Sequence, residues 1–430
     1  GRREAFHSTG ATKTDTPLIR TPQSIAVITT QDMRERNAQS LNQALSYVAG
    51  AMTNLRGSNA TRYDQMTIRG FTPTMFLDGM RLLGGYYASP QIDFHRLSRV
   101  DIVKGPAVLY GNAAPGAVVN EVSKLPSARR ETIVDFSAGN YALERGYLDT
   151  TGSFDKTGHF LYRLIGGGEA QHGYLRLTRN LRYYVSPEMT WTPDANTSVT
   201  FVGSYQRDPK NGSYGDVEPY GSVLHNPNGR IARNFYDGDP SFERFDRQQG
   251  SVSTLIKHRF SDFLTFRSNF RYQRLTLSFR DLYDRGLQSD QRTISRGLGG
   301  SDENMGAVTL DNSFVSKFKT GIFHHTLLAG QDYWENSGWY RYGWHTVDGA
   351  GQAIPSQDIF SPVYGGNHYT DFVSDLPRTK INQQQIGVYG QDQIEIGNLN
   401  LIGSIRQDYY NAKTGTISDT SLTKQNKITW

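Results

Sequence analysis

Val199-Thr200-Phe201-Val202-Gly203-Ser204-Tyr205-Gln206 alternates along its length. Val199, Phe201, Gly203 and Tyr205 fall on one side of an extended chain and the residues between them on the other, because successive strand side chains point to opposite faces. The rhythm recurs elsewhere. Leu181, Tyr183, Val185, Met189 and Trp191 alternate with Arg182, Ser186, Glu188 and Thr190. Leu264, Phe266, Phe270 and Tyr272 alternate with Thr265, Arg267, Asn269 and Arg271, and Leu399, Leu401 and Ile405 with Asn400, Ser404 and Arg406. Alternation alone fits a soluble sandwich as well as a membrane barrel. The connections separate the two. Those at 155–158, 193–196, 261–262, 319–321 and 397–398 are tiny, and they take turns with mostly long ones near 169–179, 208–246, 281–303, 335–383 and 411–426. Short turns at one end and long loops at the other mark a transmembrane β-barrel. Pro187 interrupts one strand, where proline removes a ladder donor, and predicts a bulge.

Composition agrees. Hydrophobic residues make up 37% of the 430, too few for a helical membrane bundle, and no stretch nears the ~18 consecutive apolar residues of a membrane helix. Yet there are 25 Tyr, 21 Phe and 5 Trp. Only alternate residues of a barrel strand face lipid, so its mean hydropathy looks soluble. Cysteine is absent, which excludes a disulfide scaffold and a thiolate metal site. Net charge is +5, from 46 basic and 41 acidic residues. No dense basic stripe accompanies it, so nucleic acid is not an expected partner. Gly1-Arg2-Arg3-Glu4 opens without the apolar core of a signal peptide.

Ahead of the strands lies a different domain. Residues 1–20 are polar and read as a flexible leader. Residues 21–128 read as a compact α+β domain, and 129–430 as barrel. Ile25, Val27 and Ile28 suggest a strand. Helices begin at Thr30 and at Ser40, a plausible N-cap, with Gly50 as a stop. Short strands follow at 66–69, 75–77 and 100–104. The barrel part holds eleven full strands between 132 and 410 and a twelfth starting at Lys427. The first and eleventh would both run upward and cannot close as antiparallel neighbours. A domain of about 128 residues has a radius of gyration of roughly 14 Å, too large for about a dozen strands to enclose; plugged barrels have about 22. The 430 residues are therefore expected to be the first part of a longer protein. By itself the piece is expected to be incompetent, because a bilayer does not tolerate open sheet edges.

The decisive motifs lie between residues 68 and 120. They are Ile68-Arg69-Gly70-Phe71, Phe76-Leu77-Asp78-Gly79, the run from Arg99 through Val103-Lys104-Gly105-Pro106 to Tyr110-Gly111, and Pro115-Gly116-Ala117-Val118-Val119-Asn120. With Ala11-Thr12-Lys13-Thr14-Asp15-Thr16-Pro17, Gln206-Arg207-Asp208-Pro209, His325-Thr326-Leu327-Leu328-Ala329-Gly330 and Gly387-Val388-Tyr389-Gly390-Gln391-Asp392-Gln393, they resemble the TonB-dependent siderophore receptors. The similarity is greatest to the ferrichrome-type, hydroxamate branch, and it covers nearly the whole chain.

The resemblance implies an all-β barrel of the Gram-negative outer membrane with the N-terminal domain plugging its lumen. A ferric siderophore would bind from outside and be imported on energy delivered through TonB. Lipopolysaccharide would surround a monomer, and a phage or bacteriocin could share the surface. It also implies roles. Arg56 sits at an Arg-Gly apex, where a guanidinium can donate to chelate oxygens. Tyr87, in Gly84-Gly85-Tyr86-Tyr87, holds an apical tyrosine position, and Tyr214 matches a loop aromatic. Asp216 replaces the next aromatic. Trp339, Tyr340 and Trp344, with Tyr342, fall in a loop expected to face ligand. Arg69 and Lys104 would latch the plug to barrel glutamates expected beyond residue 430, although lysine lacks the bidentate fork of the family's arginine. Glu121 departs from an apolar position, and no energy-coupling box is recognisable in residues 1–12, which suggests trimming.

Read without the resemblance, Arg56 is a solvated turn residue, and the tryptophans and tyrosines of 339–344 serve equally as a headgroup girdle. Haem, cobalamin or a catecholate chelate would suit the same fold; for haem, His225, His345 and His368 are the loop candidates. A signal-transducing receptor would need a further domain before Gly1. A porin has no use for a folded obstruction. Val103-Lys104-Gly105-Pro106 lacks phosphate-loop spacing, no nucleophile elbow occurs, and the histidines lack zinc spacing. No catalytic residue, resident metal or cofactor is expected, since iron arrives already chelated.

Overall fold

The computed structural model describes residues 7–212, 214–416 and 423–429. The N-terminal domain is built on a five-stranded mixed sheet. Its strands are β1 (Ser24–Thr29), β4 (Thr74–Leu77), β5 (Met80–Arg81), β6 (Leu97–Lys104) and β7 (Ala117–Ser123), in the order β1-β6-β7-β4-β5, with β4 and β7 parallel. A separate pair, β2 (Ala51–Thr53) and β3 (Met66–Ile68), lies beside it. Helix α1 (Thr30–Glu35) starts with a capping box: Thr29 accepts from the Asp32 amide at 3.2 Å, and the Asp32 carboxylate accepts from the Thr29 amide at 2.9 Å. Helix α2 (Leu41–Leu45) is capped by Ser40, whose hydroxyl accepts from the Gln43 amide at 3.3 Å. Met33 and Leu45 pack with Ile68, Val100, Ile102 and Val119 in one core cluster. Truncating any of these to alanine should cost about 2–5 kcal/mol.

The barrel strands form a single antiparallel meander. They are β8 (Glu131–Gly139), β9 (Leu143–Ser153), β10 (Phe160–His172), β11 (Arg179–Asp194), β12 (Thr197–Lys210), β13 (Arg244–Arg259), β14 (Leu264–Leu287), β15 (Thr293–Thr320), β16 (Phe323–His345), β17 (Thr379–Ile396), β18 (Leu399–Thr416) and β19 (Thr423–Thr429). The tight connections at 195–196, 321–322 and 397–398 lie at one end, and the long ones at 211–243 and 346–378 at the other. Val134, Phe136, Phe201, Val252, Val388 and Ile405 are exposed on the outer wall, as a lipid-facing surface requires.

Four expectations change. The stretch 281–303, expected as a loop, is strand: β14 has 24 residues and β15 has 28, so each extends about 80–90 Å at ~3.3 Å per residue. Leu282 and Leu298 of this extension pack with Ile354, Phe372 and Val373 of the connection at 346–378, which overrides its glycine-rich, polar composition. Gly299 is required there, because a β-carbon would sit 2.2 Å from the Trp344 ring. Second, β16 runs on to His345, so Trp339, Tyr340, Tyr342 and Trp344 lie on a strand rather than a loop. Third, Pro187 makes no bulge. The pairs Val185↔Tyr205 and Glu188↔Val202 keep one register across it, and Gly203 opposite leaves room for the ring. Fourth, the segment from Ser8 to Thr16, expected as a flexible leader, is packed inside the barrel. Ala11, Thr12, Thr14 and Thr16 are buried, and the Thr16 hydroxyl donates to Gln393 at 2.6 Å. Lys13 reaches Asp311 at 2.5 Å. Polar composition misleads there because the inner barrel wall is itself polar.

Candidate functional site

Two plug loops rise between the barrel walls, 54–65 and 83–91. Arg56 sits on the first, between Asn54 at φ +54° and Gly57 at φ +84°. Its guanidinium lies 5.1 Å from the ring centre of Tyr214, on the connection at 211–243. A cavity of about 680 Å³ opens beside the pair, lined also by Tyr174, Leu175, Ile231 and Phe235. That volume is in the range of small-molecule sites, and an apolar lining with a few polar groups is their usual make-up.

Tyr214 is held firmly. Its hydroxyl pairs with that of Tyr63 and accepts from Gln65 at 3.2 Å. Burial, then the Tyr63 contact, pushes its phenol above the ordinary range, so it stays a protonated donor. Arg62 is 4% exposed and lies 5.3 Å from the same ring. It donates to both carboxylate oxygens of Asp281, at 3.1 and 3.0 Å, and stacks 4.2 Å from the Phe279 ring centre. Its Nε is buried with no hydrogen-bond acceptor.

Phe279 continues to the second loop, where Tyr87 packs edge-on against it at 5.3 Å. Burial, then the charge of Tyr86, raises the Tyr87 phenol as well, and the Trp344 indole faces its hydroxyl. The apex is pinned by one barrel carboxylate: Glu303 accepts from the amides of Tyr86 at 2.8 Å, Tyr87 at 2.6 Å and Ala88 at 3.0 Å. Tyr86 then stacks on Tyr342 at 3.9 Å and on Tyr340 at 5.7 Å. Trp344 meets Tyr283 edge-on at 4.9 Å.

The structure thus joins most of the expected ligand-facing residues. Arg56 and Tyr214 flank the cavity. Tyr87, Tyr340 and Trp344 form a wall reached through Arg62 and Phe279. Trp339 is a correction. It points the other way from Tyr340, as neighbours on a strand must, and stacks with Arg378 at 4.2 Å. Tyr63, Arg62, Tyr86 and Glu303 were missed. Tyr86 had a signal in its tyrosine pair, whereas Glu303 lay in a stretch read as loop.

The latch residues stand apart. Arg69 is exposed at a tight turn with φ +53°. Among the described residues neither it nor Lys104 has a carboxylate partner. Other contacts tether plug to barrel. Arg271 donates to the Leu77 carbonyl at 2.8 Å and the Asp78 carboxylate at 3.0 Å. Arg247 donates to the carbonyls of Arg62 at 2.7 Å and Ser89 at 3.1 Å.

Comparisons with known proteins agree with this architecture. Residues 17–118 match the TonB-dependent receptor plug domain, and residues 189–430 the TonB-dependent receptor-like β-barrel. The chain is 33% identical over 424 residues to the ferrioxamine receptor of Yersinia enterocolitica, covering 96% of this chain and 58% of that one. It is 32% identical over 425 residues to the ferrichrome outer membrane transporter/phage receptor of Escherichia coli K12, covering 91% and 55%. The chain thus spans a little over half the length of these relatives. The crystal structure of the ferric preacinetobactin receptor of Acinetobacter baumannii superposes with a TM-score of 0.84 at 16% identity, covering 99% of this chain and 63% of that one.

Proposed function

Since the chain belongs to the TonB-dependent receptor family, we propose that it serves as an outer-membrane receptor for a ferric hydroxamate siderophore. The ligand binds from outside at the plug apex and is admitted to the periplasm on energy delivered through TonB. The observation that carries this reading is the Arg56–Tyr214 pair at the mouth of the 680 Å³ cavity. A guanidinium and a protonated phenol donate charge-assisted hydrogen bonds to hydroxamate oxygens, while Leu175, Ile231 and Phe235 cover the carbon skeleton. Relatives named for ferrioxamine and ferrichrome support the hydroxamate class. The second also carries the name of phage receptor, which supports phage attachment as a further use of the surface. Among the described residues, those lining the cavity include Arg56, Arg230 and Tyr214 and no histidine.

No bond is made or broken in this activity. Arg56 and Tyr214 orient the chelate, whose iron stays in its own ligands, and Tyr86, Tyr87, Tyr340 and Tyr342 stack into an aromatic surface at the second apex loop. Force arriving from the N-terminal side would load the Lys13–Asp311 and Thr16–Gln393 contacts first, because they hold the segment ahead of the plug sheet.

The test is tryptophan-fluorescence titration of the full-length purified receptor with ferrichrome-like, linear hydroxamate and catecholate ferric chelates, and with haem. A hydroxamate should quench, and Arg56→Ala should weaken it about tenfold, as expected for one lost charge-assisted bond. Response to haem or a catecholate alone would overturn the hydroxamate assignment while keeping the fold.

A further inference from the structure

One wall of the cavity is fastened from outside it. Gly221, Ile231 and Phe235 of the connection at 211–243 line the cavity; among the described residues, none from the connection at 346–378 does. Yet the second connection grips the first. Ile359 is 1% exposed and packs, with Phe360, against Ile231 and Phe235. The Tyr364 hydroxyl donates to the Tyr236 carbonyl at 2.9 Å and accepts from the Tyr236 amide at 3.2 Å. The two connections then converge on Asp239, which is 0% exposed. Its Oδ1 accepts from the Ser241 amide at 3.0 Å, the Ser241 hydroxyl at 2.7 Å and the Gly365 amide at 3.2 Å. Its Oδ2 accepts from the Asn367 side-chain amide at 3.1 Å and the Tyr369 hydroxyl at 3.2 Å. Gly365, Asn367 and Tyr369 all belong to the connection at 346–378, which is itself fixed to the barrel. Gln357 and Asp358 pair with Ile294 and Thr293 of β15, and Arg280 of β14 donates to Asp371 at 2.8 and 2.7 Å.

We propose that Asp239 is a positioning residue for the ligand cavity: it fastens the wall that carries Ile231 and Phe235 to the connection at 346–378, so that escape of the ligand is set by a segment that does not line its site. The inference rests on the reading of the cavity as the ligand site and adds what holds that site in shape. A long connection tied only at its ends keeps its conformational freedom, and each ordered residue must be held by contacts that outweigh it. A buried carboxylate is tolerated where donors fill its acceptor sites, and hydrogen bonds to a charged acceptor are stronger than neutral ones. Without the carboxylate, the Gly365 amide, the Asn367 amide and the Tyr369 hydroxyl lose their shared acceptor, and the wall loses its polar tie. Other ties remain elsewhere on the same connection. The side-chain amides of Asn226 and Asn228 donate to the Gln291 carbonyl at 2.8 and 3.3 Å. Loosening is therefore confined to the stretch from Ile231 to Asp239.

The experiment uses the full-length receptor carrying Asp239→Ala or, separately, Asn367→Ala, which removes one donor from the far side and leaves the carboxylate otherwise satisfied. Two rates are read. The first, without ligand, is modification by a water-soluble maleimide of a cysteine introduced as Leu175→Cys, at a half-buried cavity residue between β10 and β11; the receptor without that substitution gives the background. The second is dissociation of a linear ferric trihydroxamate, followed by tryptophan fluorescence. Asp239→Ala should quicken both, dissociation by about tenfold with association within about twofold, because changes at a binding site act mostly on escape. Asn367→Ala should move both rates the same way by less, with the thermal midpoint of the β-structure unaltered. Unchanged modification in both variants overturns the inference, and so does faster modification with unchanged dissociation. Where Asp239→Ala lowers the thermal midpoint, the same two rates in Asn367→Ala decide. Failure of the chelate to bind the unaltered receptor overturns the ligand reading, while the modification rate still decides whether Asp239 holds the wall.

Discussion

Two hairpin tips of the plug share a backbone and differ in everything they touch. At Arg69-Gly70 and at Asp78-Gly79 both central residues have positive φ, 53° and 81° in the first, 55° and 77° in the second. That is the two-residue turn whose twist suits antiparallel strands, with aspartate and glycine among its favoured occupants. Asp78 points into the barrel contacts. Its carboxylate accepts from the Ser123 amide at 2.8 Å, the Ser123 hydroxyl at 2.8 Å and Arg271 at 3.0 Å. Arg69 is exposed and lies beside Gly105. The turn chemistry is written in each dipeptide, but whether a tip anchors the plug depends on a strand nearly two hundred residues away.

The largest effect should come from the anchored tip. Arg271 is 3% exposed, and removing one partner of a buried ion pair costs about 3–5 kcal/mol. Arg271→Ala should therefore speed hydrogen exchange across β4 and β5 and lower the plug's unfolding midpoint. An unchanged exchange pattern would break the comparison.

A smaller effect of opposite sign is expected next to the same tip. Glu121 pairs with Leu77, is 2% exposed, and gives its main-chain carbonyl to the Asp78 amide at 2.8 Å. Burial, then Asp64 and Asp78, raise its carboxyl well above the ordinary range against the pull of Arg96 and Arg271. A raised carboxyl carries no penalty below the unfolded value of about 4.3. The penalty grows as pH climbs above that value, where the unfolded chain ionises first. Glu121→Gln should thus stabilise the plug by on the order of 1 kcal/mol at neutral pH, with the gain vanishing toward pH 4. Chemical denaturation at several pH values reads it, and a gain independent of pH would refute the assignment.

The smallest effect belongs to the exposed tip. Arg69→Ala should change the stability of this chain by less than about 0.5 kcal/mol, as exposed positions usually do. A loss comparable to that of Arg271→Ala in the same denaturation assay would show that Arg69 also anchors the plug.

Legibility followed local cause. The helix start at Thr30, the Ser40 cap and the strand containing Ile28 could be read because each depends on neighbours a few residues away. β7 could not be read as a strand by alternation, since Ala117 through Glu121 are all buried and no face is polar. The extension of β14 and β15 hid for the opposite reason. Its glycines and charges resemble a loop until Val373 and Phe372 fold over it. Of the residues that meet beside the cavity, Arg56 and Tyr214 were named from motif position. Arg62 and Glu303 were not, because each matters only through a partner supplied by the other domain.

By itself the sequence determined the class of the molecule: strand period, turn parity, plug before barrel, and the chemistry available at the apex. These follow from side-chain alternation and turn residues, which act over a few positions. Only the tertiary structure decided that residues 8–17 are packed rather than loose, that Trp339 turns away from its neighbours, and that Asp78 is the anchored tip. Each of these depends on which polar group from a distant strand meets a given side chain in a lumen lined with polar groups, where composition gives no preference for one partner over another.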